Sequence, residues 1–364
     1  MFTANDHQFM ARALRLAEQG LYSTMPNPRV GCVIVKDNKI IGEGAHLKTG
    51  EPHAEIFAIR QAGELAKGAT VYVTLEPCSH TGRTPPCSQA LINAGIAKVI
   101  VAMQDPNPQV SGSGLAQLQA HNIEVETGLM ERQARELNPG FIARMTRDRP
   151  FVRSKLAASL DGKTALNNGA SQWITGEAAR LDVQHWRARS CAILTGAGTV
   201  LADNPSMSVR SMDIGRQPLK VIVDSQLRIS VSANILDGGN VLIAFANDAQ
   251  NKAAQLLAAG VELLCIPNGQ GKVCLKTLLS HLAGQQINEV MCEGGESLNG
   301  ALMAQGLLDE LLIYYAPKLM GGAARGMFAM PEFTSMNQAI VLDILDVRQI
   351  GADIRLRAKP NYAD

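Results

Sequence analysis

The chain has 364 residues, which exceeds the size at which a single hydrophobic core usually stops growing, so two domains are expected. Its 34 basic and 33 acidic side chains nearly cancel, which argues against a nucleic-acid or membrane surface and favours a small-molecule substrate. No run of about 18 apolar residues is present and the first residues lack the blocks of a signal peptide, so a cytoplasmic protein is expected.

The first 148 residues alternate short apolar runs with helical patterns. The pair Asp37-Asn38 predicts a hairpin turn between the first two strands. The predicted strands are 30–35, 40–41, 70–75, 99–102 and 123–125, and the predicted helices begin near His53, near Pro86-Cys87 and at Gly112. The first helix is predicted to have one apolar face made of Ile56, Ile59 and Leu65 together with Ala58, Ala62 and Ala66. This order predicts a three-layer α/β sandwich.

The pattern breaks between residues 138 and 150. Asn138-Pro139-Gly140 and the charged stretch from Arg144 to Pro150 contain residues that interrupt regular structure. We therefore expect a boundary near residue 148, with one domain over 1–148 and a second over 149–364.

Three residues of the first half have the donor atoms that zinc prefers: His53, Cys78 and Cys87. Zinc held by one imidazole and two thiolates keeps a fourth position open, and a water bound there loses much of its proton affinity. Glu55 follows the histidine by two residues and would pass protons to a departing nitrogen. The arrangement His-x-Glu then Pro-Cys-x-x-Cys is that of zinc deaminases, although eight residues separate the two cysteines here. Hydrolytic deamination is the predicted chemistry, with a closed structural zinc site and a metal-free core cluster as the alternatives.

The segment from Glu76 to Cys87 resembles the deaminase domain of the bifunctional riboflavin-biosynthesis deaminase/reductases. Shorter segments that fit the same family are Pro26-Asn27-Pro28, 30–33, 50–55 and 105–108. The resemblance implies a cytidine-deaminase-like three-layer α/β/α domain that binds one Zn²⁺. The candidate substrate contacts are Asn27, His80, Arg83 and Asn107.

Two of these contacts have simpler interpretations. His80 could be a competing metal ligand or an ordinary loop residue. The planar guanidinium of Arg83 suits a phosphate, but a solvated loop arginine is equally compatible with its position.

The second half again alternates strands and helices. The predicted strands are 151–157, 191–194, 219–224, 241–245, 261–265, 287–292 and 311–315, and the clearest helices are 177–189 and 298–305. This order predicts a mostly parallel sheet with helices on its faces. The Gly-x-Gly-x-x-Gly fingerprint is missing after the first strand of either half. Glycine clusters at 195–199 and 293–297 could hold a pyrophosphate or could simply serve strand-to-helix turns.

The segments 155–162, 171–175 and 203–205 resemble the reductase domain of the same family, so the resemblance covers nearly the whole chain. That domain is related in fold to dihydrofolate reductase, and the resemblance implies a dihydrofolate-reductase-like α/β domain that binds NADPH. The positions that match cofactor contacts are Ala157, Trp173, Thr199, Asp203, Ser225, Gly295, Glu296, Ser297, Leu298, Asn299, Gly300 and Ala301. The positions that match substrate contacts are Ser171, Arg187, Met207, Arg210 and Glu293.

Physical chemistry favours these positions unequally. Arg187 and Arg210 suit a phosphate, whereas Met207 could be packing and Trp173 a core anchor. Lys155 is a candidate for polarising or protonating the group that accepts hydride, although a strand lysine usually faces solvent.

The resemblance implies two consecutive steps of riboflavin synthesis. A diaminopyrimidinone carrying a phosphoribosylamino group is first deaminated to a uracil, and NADPH then reduces the ribosyl group to ribityl. A homo-oligomer formed through the reductase domain is expected. Two alternatives remain at this point: a nucleobase or tRNA-type deaminase whose second half only binds or dimerises, and a zinc-stabilised binding protein without catalysis.

Overall fold

The structure, a computed structural model, describes residues 1–79, 86–108, 110–210 and 212–362. The chain divides into two compact units, Met1–Asp148 and Arg149–Asp364. Within the described ranges, none of the helices combines the length and apolar character that a membrane crossing requires.

The first unit contains five strands and six helices among its described residues. In chain order these are α1 (Ala4–Ala17), β1 (Gly31–Lys36), β2 (Lys39–Ala45), α2 (Ala54–Ala62), β3 (Thr70–Val73), α3 (Cys87–Asn93), β4 (Lys98–Val101), α4 (Ser113–Ala120), β5 (Glu124–Thr127), α5 (Glu131–Leu137) and α6 (Pro139–Arg147). Short 3-10 turns at Glu18–Gly20 and Gly63–Ala66 extend the ends of α1 and α2.

The sheet of the first unit has the order β2-β1-β3-β4-β5. Strand β1 is antiparallel to both β2 and β3, whereas β3, β4 and β5 are parallel. Successive residues of a strand point to opposite faces, so Ile34 packs with α2 to α4 while Val33 and Val35 pack with α1, α5 and α6. The predicted three-layer sandwich is therefore confirmed.

Helix α2 differs from its prediction. It ends at Ala62 because Gly63 adopts a φ of 55°, and Leu65 lies in the following 3-10 turn with 58% of its surface exposed. Of the predicted apolar face, Ala58 and Ala62 are buried, whereas Ile56 and Ile59 are half-buried. Small side chains let this helix approach the sheet closely, and a Cβ on Gly44 of β2 would lie 2.0 Å from the carbonyl oxygen of Ala54.

The stretch predicted to interrupt regular structure is helical. Helix α6 runs through it because Pro139 occupies the first turn, where its missing N–H breaks no hydrogen bond. Helix α1 and helix α5 were also not predicted.

The second unit contains nine strands and five helices in its described part. In chain order these are β6 (Phe151–Ser159), α7 (Glu177–Arg189), β7 (Ala192–Gly196), α8 (Ala197–Asp203), β8 (Leu219–Val223), β9 (Val241–Phe245), α9 (Ala253–Ala258), β10 (Glu262–Cys265), α10 (Leu275–Gly284), β11 (Glu289–Cys292), α11 (Glu296–Ala304), β12 (Glu310–Ala316), β13 (Val341–Ile350) and β14 (Asp353–Asn361). Two further 3-10 turns lie at Asn234–Leu236 and Met336–Gln338.

The second sheet has the order β10-β9-β8-β7-β11-β6-β12-β14-β13. Its strands from β10 to β12 are parallel, as predicted, and β14 and β13 continue it in antiparallel fashion. The hairpin β13–β14 was not predicted. Its first strand places pairs of apolar residues between single aspartates, as in Val341-Leu342-Asp343-Ile344-Leu345-Asp346, so the two-residue alternation of a half-buried strand is absent.

A buried ion network connects the amino-terminal ends of three central strands. The guanidinium of Arg153, only 1% exposed, lies 3.2 Å from the Glu289 carboxylate and 3.1 Å from that of Glu310. It also stacks on Trp186 at 4.7 Å from the ring centroid. A second arginine, Arg357, contacts the other oxygen of Glu310 at 2.7 Å. Paired in this way, the charges tolerate burial that would otherwise be costly.

Candidate functional site

Three predicted metal ligands converge in the first unit. His53 Nδ1 lies 3.6 Å from Cys78 Sγ and 3.3 Å from Cys87 Sγ, and all three donor atoms lie within 4.8 Å of one another. Tetrahedral zinc with ligand distances of about 2.0 to 2.3 Å would separate neighbouring nitrogen and sulfur ligands by about 3.5 Å. The donor types and their separations therefore fit a zinc ion with a fourth position open.

Each donor lies at the end of a regular element. His53 is the residue that precedes the first turn of α2, Cys78 follows β3, and Cys87 begins α3. The backbone N–H of Cys87 donates to Cys78 Sγ at 3.3 Å. Hydrogen bonds from Cys87 and His53 lower the pKa of the Cys78 thiol, which favours the thiolate that a metal requires.

Glu55 lies in the first turn of α2 and is 3% exposed. Its Oε2 atom is buried and has no hydrogen-bond partner among the described residues. Burial, together with the negative charge of Cys78, raises the pKa of Glu55 to about 7. A carboxylate with this pKa can both accept and release a proton near neutrality.

Asn27 is connected to the metal ligand His53 through His46, a residue that was not predicted from the sequence. Its side-chain amide lies 3.1 Å from Nε2 of His46, a ring that is 2% exposed. His46 Nδ1 lies 3.3 Å from the Pro52 carbonyl oxygen, and its ring packs edge-on against His53 with 5.1 Å between centroids. Burial lowers the pKa of His46. A lone histidine with no motif around it offered no signal for this role.

Asn107 lies in the loop between β4 and α4, where its backbone N–H donates to Asp105 Oδ1 at 2.8 Å. The loop is tied to the segment that carries Cys78 by the buried carboxylate of Glu76. Sequence analysis included Glu76 in the motif without assigning it a role. His80 and Arg83 lie outside the described residues.

In the second unit the structure brings together three predicted residues. Arg187 Nε and Nη2 donate to the two oxygens of Glu293 at 2.6 and 3.0 Å, and Lys155 Nζ lies 3.8 Å from Glu293 Oε2. Burial alone would raise the pKa of Glu293, but Arg187 and Lys155 lower it. Burial lowers the pKa of Lys155, so this strand lysine is not a solvated face residue.

The two glycine clusters also lie side by side. Helices α8 and α11 begin at the carboxyl ends of β7 and β11, which are neighbours in the sheet. A Cβ built on Gly295 would lie 3.9 Å from Thr199 Oγ1, and nothing lies within 4 Å of one built on Gly198. Two helix N-termini with open space between them suit the pyrophosphate of a dinucleotide. The residues present therefore fit NADPH.

Only part of the predicted turn from Gly295 to Ala301 is accessible. Gly295 and Ser297 are exposed and Glu296 is half-buried, whereas Leu298, Asn299 and Gly300 are buried. Asn299 accepts from Ser154 Oγ and donates to the Gly294 carbonyl, both at 2.8 Å, so its side chain serves the core.

The remaining predicted residues lie in different environments. Trp173 is 65% exposed beneath the Arg180 guanidinium and so is not a core anchor, whereas Met207 is buried in the core beside Arg187. Ser225 Oγ accepts from the Val273 N–H at 3.2 Å. Asp203 and Arg210 are exposed, and Ala157, Ser171 and Ala301 are half-buried.

Comparisons with known proteins agree with both units. The family model described as "Cytidine and deoxycytidylate deaminase zinc-binding region" matches residues 3–103, and the one described as "RibD C-terminal domain" matches residues 150–356. The chain is 48% identical to the riboflavin biosynthesis protein RibD of Escherichia coli, over 96% of this chain and 98% of that protein.

Solved structures give the same result. RibD from Acinetobacter baumannii superimposes with a TM-score of 0.92 at 49% identity, covering 98% of this chain and 99% of that one. A diaminohydroxyphosphoribosylaminopyrimidine deaminase/5-amino-6-(5-phosphoribosylamino)uracil reductase from Thermotoga maritima has a TM-score of 0.86 at 33% identity, covering 98% of this chain and 99% of its own. The chain therefore belongs to the RibD family of riboflavin biosynthesis enzymes, with a zinc-binding deaminase domain followed by a reductase domain.

Proposed function

We propose that residues 1–148 deaminate a diaminopyrimidinone bearing a phosphoribosylamino group, and that residues 149–364 reduce the ribosyl group of the uracil product with NADPH. The observation that supports the first step is the buried carboxylate of Glu55, whose Oε2 has no hydrogen-bond partner among the described residues, beside the donors His53, Cys78 and Cys87. Neither a binding protein nor a purely structural zinc site accounts for that oxygen, since leaving a buried polar atom without a partner costs stability.

In the deaminase site, Zn²⁺ held by His53, Cys78 and Cys87 would supply Lewis-acid activation of water. Glu55 Oε2 takes the proton that water loses and returns it to the departing amine, which its pKa of about 7 permits. Asn27 and Asn107 offer side-chain amides that can hold polar edges of the substrate. Arg83 is proposed to bind the substrate phosphate, and His80 to contact the substrate.

In the reductase site, bound NADPH supplies the hydride. Gly295 and Ser297, at the start of α11, together with Thr199 of α8, bind its pyrophosphate side; the other cofactor contacts remain those implied by the family. Lys155 Nζ holds the proton for the sugar group that accepts hydride, and Glu293 orients Lys155. Because Glu293 already engages Arg187, we assign the phosphate contact to the exposed Arg210 in preference to Arg187.

The test follows the two reactions separately. Zinc-loaded protein is given the diaminopyrimidinone substrate, and ammonia release and NADPH oxidation are both measured. We expect one ammonia and one NADPH per substrate. Ammonia release without NADPH oxidation on the deaminated product would indicate a deaminase with a non-catalytic second half, and no turnover at all would indicate a binding protein.

We further propose that the protein forms a homodimer through β13. This strand lies at the edge of the sheet and pairs, in the described part of the chain, only with β14. Val341 is 65% exposed, and Ile344 and Val347 are each 56% exposed. A long apolar edge strand is prone to aggregation unless another strand covers it, and a second copy of β13 offers the same apolar residues.

Light scattering coupled to size exclusion tests the dimer. We expect the wild type at twice the chain mass and Ile344→Lys at the chain mass. Ile40→Lys is the matched control, because Ile40 is an exposed isoleucine on an edge strand of the first unit. A monomeric wild type, or a dimeric Ile344→Lys, would contradict the proposal.

We also propose that the enzyme works in the cytoplasm. Cys78 and Cys87 must remain reduced thiolates to bind metal, and their close approach would favour oxidation in a compartment that forms disulfides. Cell fractionation with detection of the native protein tests this, and recovery in an extracytoplasmic fraction would contradict it.

A further inference from the structure

Glu76 is a buried carboxylate that the proposed chemistry does not use. It follows β3, is 3% exposed, and precedes the metal ligand Cys78 by two residues. No cationic side chain in the described ranges pairs with it. A buried carboxylate without a counter-ion requires other groups to replace its water shell.

Four backbone N–H groups do so. Glu76 Oε2 accepts from Asp105 at 3.1 Å and from Gly112 at 3.0 Å. Oε1 accepts from Gly114 at 2.9 Å and from Leu115 at 3.4 Å. Hydrogen bonds to an ionised acceptor are stronger than neutral ones, so these contacts hold their partners firmly.

The four N–H donors lie in the loop that carries Asn107 and in the helix that follows it. Asp105 and Gly112 lie at the two ends of the loop that carries Asn107, and Gly114 and Leu115 form the first turn of α4. One oxygen atom therefore closes the loop at both ends. The other fixes the helix that follows it.

The approach of α4 to the metal-ligand segment is close. A Cβ on Gly114 would lie 2.0 Å from the Pro77 carbonyl oxygen, so only glycine permits this contact. Next to it, the hydroxyls of Ser79 and Ser113 lie 2.7 Å apart. The segment from Glu76 to Ser79, which includes Cys78, therefore packs directly against the start of α4.

We infer that Glu76 is a positioning residue of the deaminase, which holds the Asn107 loop in register with the metal site so that Asn107 meets the substrate beside Cys78. The inference rests on the proposed function, because it assigns Asn107 to substrate binding. Glu76 touches neither substrate nor metal. It acts by fixing the distance between the segment that carries Cys78 and the loop that carries Asn107.

Glu76→Gln is the informative variant. It keeps the size of the side chain but turns an NH₂ group toward N–H donors, whereas Glu76→Ala leaves four buried N–H groups without an acceptor and endangers folding. We expect kcat/KM for deamination to fall by about 10- to 100-fold, mainly through KM, because small misplacements of positioning groups have effects of this size. Zinc content should stay at one per chain, and the reductase rate should be unchanged.

Two measurements separate positioning from a merely structural role. In an Asn107→Ala background, Glu76→Gln should change KM less than about threefold, because residues that act as a unit are not additive. By hydrogen exchange, the amides of Asp105, Gly112 and Gly114 should exchange faster in Glu76→Gln. Glu64→Gln is the control, since it removes the same charge from an exposed glutamate of the same unit.

Four results would overturn the inference: a lower unfolding temperature with an unchanged KM, a full KM effect in the Asn107→Ala background, unchanged amide exchange, or loss of zinc. The exchange and zinc measurements need no turnover. A wild type that releases no ammonia would refute the proposed function instead.

Discussion

Glu55 and Glu293 are two buried glutamates with opposite electrostatics. Glu55 has a buried oxygen without a hydrogen-bond partner in the described part of the chain, and burial raises its pKa to about 7. Glu293, whose side chain is 8% exposed, is flanked by Arg187 and Lys155, which lower its pKa below the ordinary value. The first is suited to moving a proton and the second to holding cations in place. Residue type and burial alone therefore do not determine a role, because neighbouring charges decide which form of the carboxylate is stable.

The two sites also differ in how the chain assembles them. His53, Glu55, Cys78 and Cys87 lie within 35 consecutive residues, at the ends of elements that a short motif specifies. Lys155, Arg187 and Glu293 come from a strand, a helix and a loop that are far apart in sequence. Changes in the first site should therefore affect chemistry with little effect on stability, whereas changes in the second should affect both.

Removal of zinc tests the independence of the two sites most strongly. A chelator should reduce ammonia release to background, while reduction of the deaminated substrate by NADPH should continue at the untreated rate. The reason is that the three metal donors belong only to the first unit. Loss of both activities together would show that the two sites are not independent. Recovery of ammonia release when Zn²⁺ is added back is the control for reversibility.

Substitution Glu55→Gln should lower the deamination kcat by about 10²- to 10⁴-fold, since it removes the proton carrier. The variant should keep its zinc and should unfold at no lower temperature, because a buried carboxylate oxygen without a hydrogen-bond partner costs stability. Ammonia assays and metal analysis on the same sample check both points. A normal rate of ammonia release would show that Glu55 is not the proton carrier.

Substitution Glu293→Gln should lower both the stability of the second unit and its reductase activity. It leaves the Arg187 and Lys155 charges partly buried without a counter-ion, which should destabilise the second unit by about 3 kcal/mol. Reductase kcat/KM should fall at least about tenfold. Both tryptophans of the chain, Trp173 and Trp186, lie in this unit, so urea unfolding followed by tryptophan fluorescence reports on it alone.

Glu332→Gln provides the matched control for Glu293→Gln, because Glu332 is an exposed glutamate of the same unit. It should leave both stability and reductase activity unchanged. Equal stability of the two variants would contradict the assigned ion pairs.

Acid should weaken the second unit through a third glutamate, by a smaller amount. Burial alone would raise the pKa of Glu310, but Arg153 and Arg357 lower it from 4.5 to about 2. A lowered folded-state pKa stabilises the fold above pH 4.5, and this contribution is lost as pH falls from 4.5 towards 2. About 2 kcal/mol is lost by pH 3, which is less than the loss expected for Glu293→Gln. Urea unfolding at pH 6, 4 and 3 should show it, and Glu310→Gln should have a flatter acid dependence.

Several elements could be predicted from sequence, because their pattern is local. Helix α7 was predicted at 177–189 and strand β9 at 241–245, with the bounds that the structure shows. Of the predicted deaminase residues, Glu55 follows the metal donor His53 by two residues, and Asn27 contacts His46, which packs against His53. Asn107 lies in a loop that Glu76 ties to the segment of Cys78. The remaining contacts with cofactor and substrate stay predictions.

Other elements could not be predicted by the patterns used. Strand β13 lacks a two-residue alternation because it is exposed along nearly its whole length. Strand β14 was missed although Ile354, Leu356 and Ala358 alternate with charged residues. Helix α6 was predicted as a break because a proline is tolerated in a first turn but not in a helix interior, and composition does not distinguish the two. The close approach of α2 to the sheet depends on the glycines of β2 beneath it, which lie elsewhere in the sequence.

What sequence alone determined is the chemistry available to the first site: one imidazole, two thiolates and a neighbouring carboxylate, at a spacing that zinc deaminases use. What only the tertiary structure decided is the state of the buried carboxylates. Glu293 is held by cations from α7 and β6, Glu76 by backbone N–H groups from a loop and α4, and Glu55 is left with an unpaired oxygen. Chain order does not contain this information, because the groups that solvate a buried charge come from distant segments and their directions are set by packing.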